Sequence, residues 1–314
     1  MAYYRSYKQL TSYQRRKHGM RGAKPGNRRP KRRYSRKRRP STRRRPMSKR
    51  SILNTTSQKK RDKMMTFTNT TAAAAWDGAT YNAAPAILSG AAPLYVFPFC
   101  ATGRDATTNS SSGKPNKFDQ ATRTASLCYM VGLKESIEIQ CADGLPWQWR
   151  RICFTYKGGQ TLNNYLPTPS GTYAPIKETS SGFTRVLNSL NPTNQGTFFS
   201  LLFQGLQSND WSDPMTAKVD TERLTLKYDK TITIASGNEE GVIRKYSRYH
   251  PMGKNLMYDD DEAGGSMQTN FTSVESKAGM GDYWVIDIIK PRMSAVAGNQ
   301  LSINMETTLY WHER

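Results

Sequence analysis

The chain has 314 residues and a formal net charge of +23 at pH 7. Such an excess of positive charge favours binding to a polyanion, and nucleic acid is the first candidate. No run approaches the roughly 18 apolar residues of a membrane-spanning helix, and the basic N-terminus lacks the apolar stretch of a secretory signal. We therefore expect no membrane insertion.

The positive charge is concentrated at the N-terminus. Residues 1–63 hold 25 Lys or Arg and one acid, whereas the remaining residues hold 22 basic and 23 acidic side chains. The first segment has no apolar face to bury and is interrupted by Pro30, Pro40 and Pro46. We predict a disordered, Arg-rich, nucleic-acid-binding arm at 1–63 and a neutral folded domain at 64–314.

The arm has the chemistry of a nucleic-acid ligand. A guanidinium group donates paired hydrogen bonds to phosphate and stays charged, and tyrosines interleaved with cations can stack on unpaired bases. Clusters of this composition also match nuclear localisation segments, so a nuclear import receptor is a second expected partner. The predicted nucleic-acid-binding residues are Arg15, Arg16, Lys17, Arg28, Arg29, Lys31, Arg32, Arg33, Tyr34, Arg36, Lys37, Arg38, Arg39, Arg43, Arg44 and Arg45.

Beyond the arm, apolar and polar residues alternate with the period of β-strands. Residues 127–141 and 147–156 flank a turn and are predicted to form a hairpin. Residues 283–290 are apolar on both faces and are predicted to be a central strand, while residues 184–190 offer one or two helical turns. The predicted strands cover residues 64–71, 127–141, 147–156, 197–203, 222–234, 244–250, 283–290 and 301–311.

Eight strands with long connections predict an all-β fold, namely a single eight-stranded jelly-roll sandwich with long loops after the disordered basic arm. The long loops are expected at 73–126, 158–196 and 259–281, where they would contact neighbouring subunits. The aromatic residues of the connections between strands, among them Trp76 and Trp211, can equally be core residues beneath their own loops.

The sequence offers few parts for catalysis or metal binding. It contains no phosphate-binding loop, nucleophile elbow or HExxH motif, and its four cysteines, which form no CxxC pair, are predicted to be buried free thiols. We expect His250 to lie at a strand end facing a neighbour. The acidic run at 259–262 fails the EF-hand pattern and is predicted to be solvated or paired with the next subunit. The chain is therefore predicted to be no enzyme and to hold no metal or cofactor.

A second set of basic residues lies on predicted strands. These residues can add ordered DNA contacts to those of the arm, or they can pair with the acidic run, and the sequence leaves both interpretations open. They are Arg150, Arg151, Arg244, Lys245 and Arg248.

Three segments together resemble a known family: the basic arm, SILNTTSQKKRDKMM at 51–65 and RKYSRYHPMGKNLMYDDDE at 244–262. The chain resembles the capsid proteins of genomoviruses, which are gemycircularvirus-like viruses, and more distantly those of geminiviruses and circoviruses. The resemblance implies a jelly-roll subunit, sixty copies in an icosahedral T=1 virion, and arms that point inward onto a circular single-stranded DNA genome. It also implies nuclear import for assembly in the host nucleus. In a jelly-roll shell one sheet can face the lumen, so the basic strand residues are possible lumenal DNA contacts.

The alternative is a viral single-stranded DNA-binding protein that does not assemble, such as a nuclear-shuttle or movement protein. Such a protein would also carry a basic tail and a β-rich body. Self-assembly distinguishes the two hypotheses.

Overall fold

The computed structural model of the protein describes residues 47–108, 113–158 and 173–314. Residues 49–314 form one compact unit. Within the described residues, the helices are α1 (Lys49–Thr56) and α2 (Pro192–Leu202). The strands are β1 (Gln58–Met64), β2 (Thr66–Thr68), β3 (Ala86–Ser89), β4 (Tyr95–Cys100), β5 (Leu127–Cys141), β6 (Trp147–Tyr156), β7 (Glu178–Thr179), β8 (Gly182–Phe183), β9 (Arg185–Leu187), β10 (Thr225–Ile234), β11 (Val242–Met257), β12 (Asp261–Ala263), β13 (Ser266–Gln268), β14 (Asp282–Pro291) and β15 (Gln300–Glu313).

Two antiparallel sheets form a sandwich. The first sheet has the order β1-β15-β5-β11, with β3 also paired to β15, and the second has the order β10-β6-β14-β4. Four ladders join strands from the two halves of the chain: β3 with β15, β4 with β14, β5 with β11 and β6 with β10. These are the pairings of one long hairpin that is folded over into two sheets, which is the topology of a jelly roll. The predicted fold class is confirmed.

The two sheets bury different amounts of surface. Between the sheets, Ile139 and Ile303 of the first sheet lie in one apolar cluster with Trp147 and Trp149 of the second. The second sheet also buries its outer face beneath α2, where Phe198 packs in a cluster with β14. Strand β14 is therefore buried on both faces and central, as its sequence predicts. Strand β5 of the first sheet instead alternates buried positions with half-buried or exposed ones.

The prediction of a strand at residues 197–203 is wrong, because most of this run belongs to α2. The Asn191 side chain caps the helix by accepting a hydrogen bond from the Asn194 amide at 2.9 Å, and Pro192 occupies the first turn, both common helix-start signals. A short apolar run fits a strand or a buried helix equally well. Residues 184–190, predicted as a helical turn, instead contain β9, which pairs with β2 in parallel.

The hairpin predicted from residues 127–141 and 147–156 is also wrong. Both strands exist, as β5 and β6, but β5 lies in the first sheet and β6 in the second. The turn between them thus carries the chain from one sheet to the other.

The predicted loop at 73–126 contains two jelly-roll strands, β3 and β4. Strand β4 is a continuous apolar run that includes Pro98, and it lies at an edge of the second sheet, where a residue without a backbone N–H is tolerated. Strand β4 is hard to recognise in the sequence because it follows β3 closely and its apolar residues do not alternate with polar ones. Trp211, in the connection between α2 and β10, packs on the rings of Phe199 and Phe203 at centroid distances of 6.0 and 5.1 Å.

The folded sheet begins earlier than the boundary at residue 64 that the sequence suggests. Strand β1 pairs with β15 along its whole length from Gln58. Its inward-facing charges are both buried and paired. The Lys60 ammonium lies 3.2 Å from Glu313, and the Asp62 carboxylate lies 2.9 Å from Arg104. These pairs explain how a segment as polar as QKKRDKM forms a strand.

Candidate nucleic-acid interface

The predicted residues of the basic arm lie outside the described residues. The structure therefore gives no account of Arg15, Arg16, Lys17, Arg28, Arg29, Lys31, Arg32, Arg33, Tyr34, Arg36, Lys37, Arg38, Arg39, Arg43, Arg44 or Arg45. Their proposed role depends on their sequence and charge.

Arg150 and Arg151 are not available to DNA, contrary to the sequence-based hypothesis. Both lie on β6 and are buried. Arg150 donates two hydrogen bonds to Asp229, at 2.9 and 2.7 Å, and two more to backbone carbonyls. Arg151 faces into the sandwich. The sequence alone does not indicate that these arginines are buried, because acids that pair with them come from distant parts of the chain.

Arg151 belongs to a buried cluster of four charges that joins the sheets. It donates hydrogen bonds to Asp287 at 2.7 and 2.9 Å and pairs with Glu135. Arg185 completes the cluster, with its guanidinium 2.9 Å from Asp287 and 3.3 Å from Glu135. Burial opposes ionisation of Glu135, but the charge of Arg151, followed by contacts with His250 and Arg185, holds the pKa of Glu135 well below its usual value. The cluster is electrically balanced, with two cations and two anions.

His250 is an interior residue of β11 and does not lie at a strand end facing a neighbour. It is buried, its Nε2 lies 3.6 Å from Glu135, and its ring contacts those of Tyr228 and Tyr283. Its position on β11 places it between the two sheets, so it takes part in the sandwich core.

The remaining basic candidates lie on β11, the edge strand of the first sheet. Arg244 and Lys245 are exposed, whereas Arg248 is half-buried over the rings of Tyr228 and Tyr246. Lys245 pairs with Glu138 of the adjacent strand at 2.9 Å. The five basic candidates therefore do not form one surface.

A cationic row that the sequence analysis assigned to the arm lies on β1. Because side chains alternate along a strand, the inward pairing of Lys60 and Asp62 leaves Lys59, Arg61 and Lys63 exposed on the outer face. Most of the inward and outward positions of β1 carry charged residues, so a search for alternating apolar and polar residues does not detect this strand. This row is ordered by the sheet.

The acidic run at 259–262 is not simply a solvated loop or a contact to another subunit. The Asp260 side chain is buried and binds Arg123 of the same chain through both oxygens, one of them at 2.8 Å from Nη2. The guanidinium also lies 3.9 Å above the Tyr258 ring. Although burial opposes its ionisation, the hydrogen bond from Arg123 lowers the pKa of Asp260.

In the part of the chain that the structure describes, no group of three or more His, Cys, Asp or Glu side chains is placed to hold a metal ion. Cys100, Cys128, Cys141 and Cys153 are all buried free thiols, as predicted. No helix of the described ranges combines the length and apolar character needed to cross a membrane.

Comparison with known proteins gives little further information. No family model matches the chain, and no curated protein matches it. Two solved structures that show some similarity are of VP1 from the Trichodysplasia spinulosa-associated polyomavirus, one of them in complex with sialylated precision glycooligomers. Each is 10% identical, with the match covering 73% of this chain and 75% of the VP1 chain at a TM-score of 0.11. At that TM-score the likeness supports no argument, so the assignment of a jelly roll depends on the strand pairings.

Proposed function

We propose that this chain is the coat protein of a small virus, similar to genomovirus capsid proteins, and that it packages circular single-stranded DNA. The jelly-roll domain assembles into a closed icosahedral shell of sixty copies with T=1 geometry, and the basic arm holds the genome inside. The observation that carries the proposal is the division of charge. A nearly neutral jelly roll follows a segment with 25 basic residues and one acid.

The jelly roll is an architecture that viral capsid, lectin and cupin domains share, so the fold alone does not decide the function. The attached cationic segment favours the capsid assignment, because a shell must neutralise the phosphates of the nucleic acid that it encloses. We assign the protein no catalytic role.

Exposed apolar side chains in the connecting loops support self-association. Phe118, Leu206 and Met293 are 82%, 63% and 87% exposed. Burial of such side chains between copies would stabilise a shell by about 1.5–3 kcal/mol for each fully buried residue. Import into the host nucleus through the basic clusters of the arm would bring the protein to the genome before assembly.

Electron microscopy of the full-length protein, with and without circular single-stranded DNA, tests the proposal. We define an arm-neutral variant in which the twelve Arg and Lys of residues 28–45 are replaced by Gln. The unmodified chain should form uniform closed particles that protect the DNA from nuclease. The arm-neutral variant should protect far less DNA and retain its fold. Soluble monomers or dimers that bind DNA without ever closing into particles would instead favour the shuttle or movement protein.

A further inference from the structure

The outer face of the first sheet differs from that of the second. Helix α2 covers the second sheet and packs into an apolar cluster on it. On the first sheet, by contrast, Tyr129 and Tyr249 remain 40% and 53% exposed. The Lys134 side chain and the outward cations of β1 are also exposed. Within the described residues, this face therefore presents partly exposed rings beside exposed cations.

We infer that one end of this face is an ordered platform for single-stranded nucleic acid, on which bases stack and phosphates bind. The inference rests on the proposed function and specifies where the folded domain meets the genome. We call the platform the ring–cation face. It consists of Lys59, Arg61, Lys63, Tyr129, Lys134, Tyr249, Tyr310 and His312.

The strand register places these side chains in three adjacent rows. In the first row, Lys59 lies opposite His312, which lies opposite Tyr129. In the second, Arg61 lies opposite Tyr310. Neighbouring strands lie about 4.8 Å apart. If a base stacks on one of these rings, a cation of the platform can therefore reach the phosphate attached to that base.

The third row contains the most exposed ring of the platform. It runs from Lys63 through Thr308 and Lys134 to Tyr249.

Gly132 creates the space in which the Tyr249 ring lies. A Cβ atom at Gly132 would lie 2.6 Å from the Tyr249 hydroxyl and 2.8 Å from Cζ. Only a residue without a side chain allows the ring to extend across β5 in this way. The ring is thereby held against the sheet while more than half of the residue remains exposed.

The charges of the platform suit a polyanion. Its four cations face one nearby exposed acid on β15, Glu306, which pairs with Lys63 at 3.2 Å. At the other end of the sheet, Lys245 is matched by Glu138, so the excess of positive charge is local. Partial burial and then the charge of Lys59 lower the pKa of His312. At pH 7 its imidazole is therefore mainly neutral and available for stacking beside Tyr129, whose ring centroid lies 6.0 Å away.

The exposed rings favour single strands over duplexes. A base can stack on an aromatic side chain only when its own face is free, as in single-stranded DNA or RNA. The basic arm continues through α1 directly into β1, which supplies the three cations at the edge of the platform. The arm is thus covalently linked to the platform, so a strand that the arm binds is held close to its second binding site.

Fluorescence anisotropy with a labelled oligothymidine tests the inference, using the full-length arm-neutral variant so that the arm contributes much less to the measured affinity. In that background, Tyr249→Leu should weaken binding by about 5- to 150-fold, the equivalent of about 1–3 kcal/mol for one lost base stack. Tyr249→Phe should retain the affinity, because it keeps the ring. Tyr129→Leu provides an independent second variant, and unchanged urea midpoints show that each variant is folded.

The cations are tested by the dependence of affinity on salt. Lys59→Gln should reduce the slope of log K against log salt by about 0.7, the value for one phosphate contact on a single strand. Lys218→Gln is the matched control, because this lysine is exposed between α2 and β10, away from the face, and it should leave the slope unchanged.

Three results would overturn the inference: equal affinities for Tyr249→Leu and the unmodified tyrosine, a preference for duplex over single strands, or a changed oligomeric state with unchanged DNA affinity. The last result would identify the face as a contact between copies. Closed particles combined with no effect of the face variants would refute this inference alone. Face-dependent binding without particles would refute the shell and leave the inference standing.

Discussion

Replacement of Asp287 by Asn tests whether the buried charge cluster holds the two sheets together. Asp287 accepts hydrogen bonds from Arg151 at 2.7 and 2.9 Å and from Arg185 at 2.9 Å. It also accepts one from the Trp149 indole at 2.7 Å. The substitution leaves two buried cations facing the single carboxylate of Glu135. Loss of one partner of a buried ion pair costs about 3–5 kcal/mol, and we expect a loss of unfolding free energy in that range.

Urea unfolding of the full-length protein measures this loss through the fluorescence of its buried tryptophans. With a slope of about 2–3 kcal/mol per molar urea, the midpoint of Asp287→Asn should fall by about 1–2.5 M. The control is Lys245→Gln, which breaks the exposed pair with Glu138 and should leave the urea midpoint nearly unchanged, because solvent screens exposed ion pairs.

A charge-balanced double variant separates the effect of charge from that of packing. Asp287→Leu combined with Arg185→Met removes one charge of each sign and should be more stable than Asp287→Asn, because no cation is then left without a partner. A loss below about 1 kcal/mol for Asp287→Asn, or a double variant less stable than the single one, would refute this account of the cluster.

Two further predictions concern buried titratable groups. Burial raises the pKa of Asp282 from 3.8 to about 6. The folded state therefore binds a proton on the Asp282 carboxyl more tightly than the unfolded state does. Protonation of Asp282 stabilises the fold by about 3 kcal/mol below about pH 4, and this contribution is lost as the pH rises through 6. Asp282→Asn should flatten this part of the profile of urea midpoint against pH, and an unchanged profile would contradict it. Burial also raises the pKa of all four thiols, so a thiol reagent at pH 8 should label them only after unfolding.

The sequence predicts the sandwich because its main signal is periodic. Strands such as β15, in which Leu301, Ile303 and Met305 alternate with polar residues, must bury one face, and enough such strands specify a two-layer fold. Short apolar runs without alternation are less informative. The run at 197–203, which falls mostly in α2, and strand β4 are both short and largely apolar without clear alternation, so tertiary packing decides their conformation.

The basic surface could not be predicted from residue type alone. Arg151 and Arg244 are both arginines on strands, yet one is buried in a balanced ion cluster and the other is exposed. The difference depends on Glu135 and Asp287, which come from distant parts of the chain and meet only after the sheets have packed. A basic residue on a strand can therefore be assigned to the protein surface only when the pairing register of the neighbouring strands is known.

Strand β1 shows why the arm and the domain cannot be separated at the point where the charge density changes. Its inward side chains neutralise Glu313 and Arg104, while its outward side chains extend the cationic character of the arm onto the sheet. A truncation after residue 63 would leave two buried charges without partners and expose the edge of β15. Loss of DNA binding by such a protein would then reflect a damaged fold as much as a missing arm. The arm-neutral variant leaves β1 intact and avoids this ambiguity, because it changes only residues that precede α1.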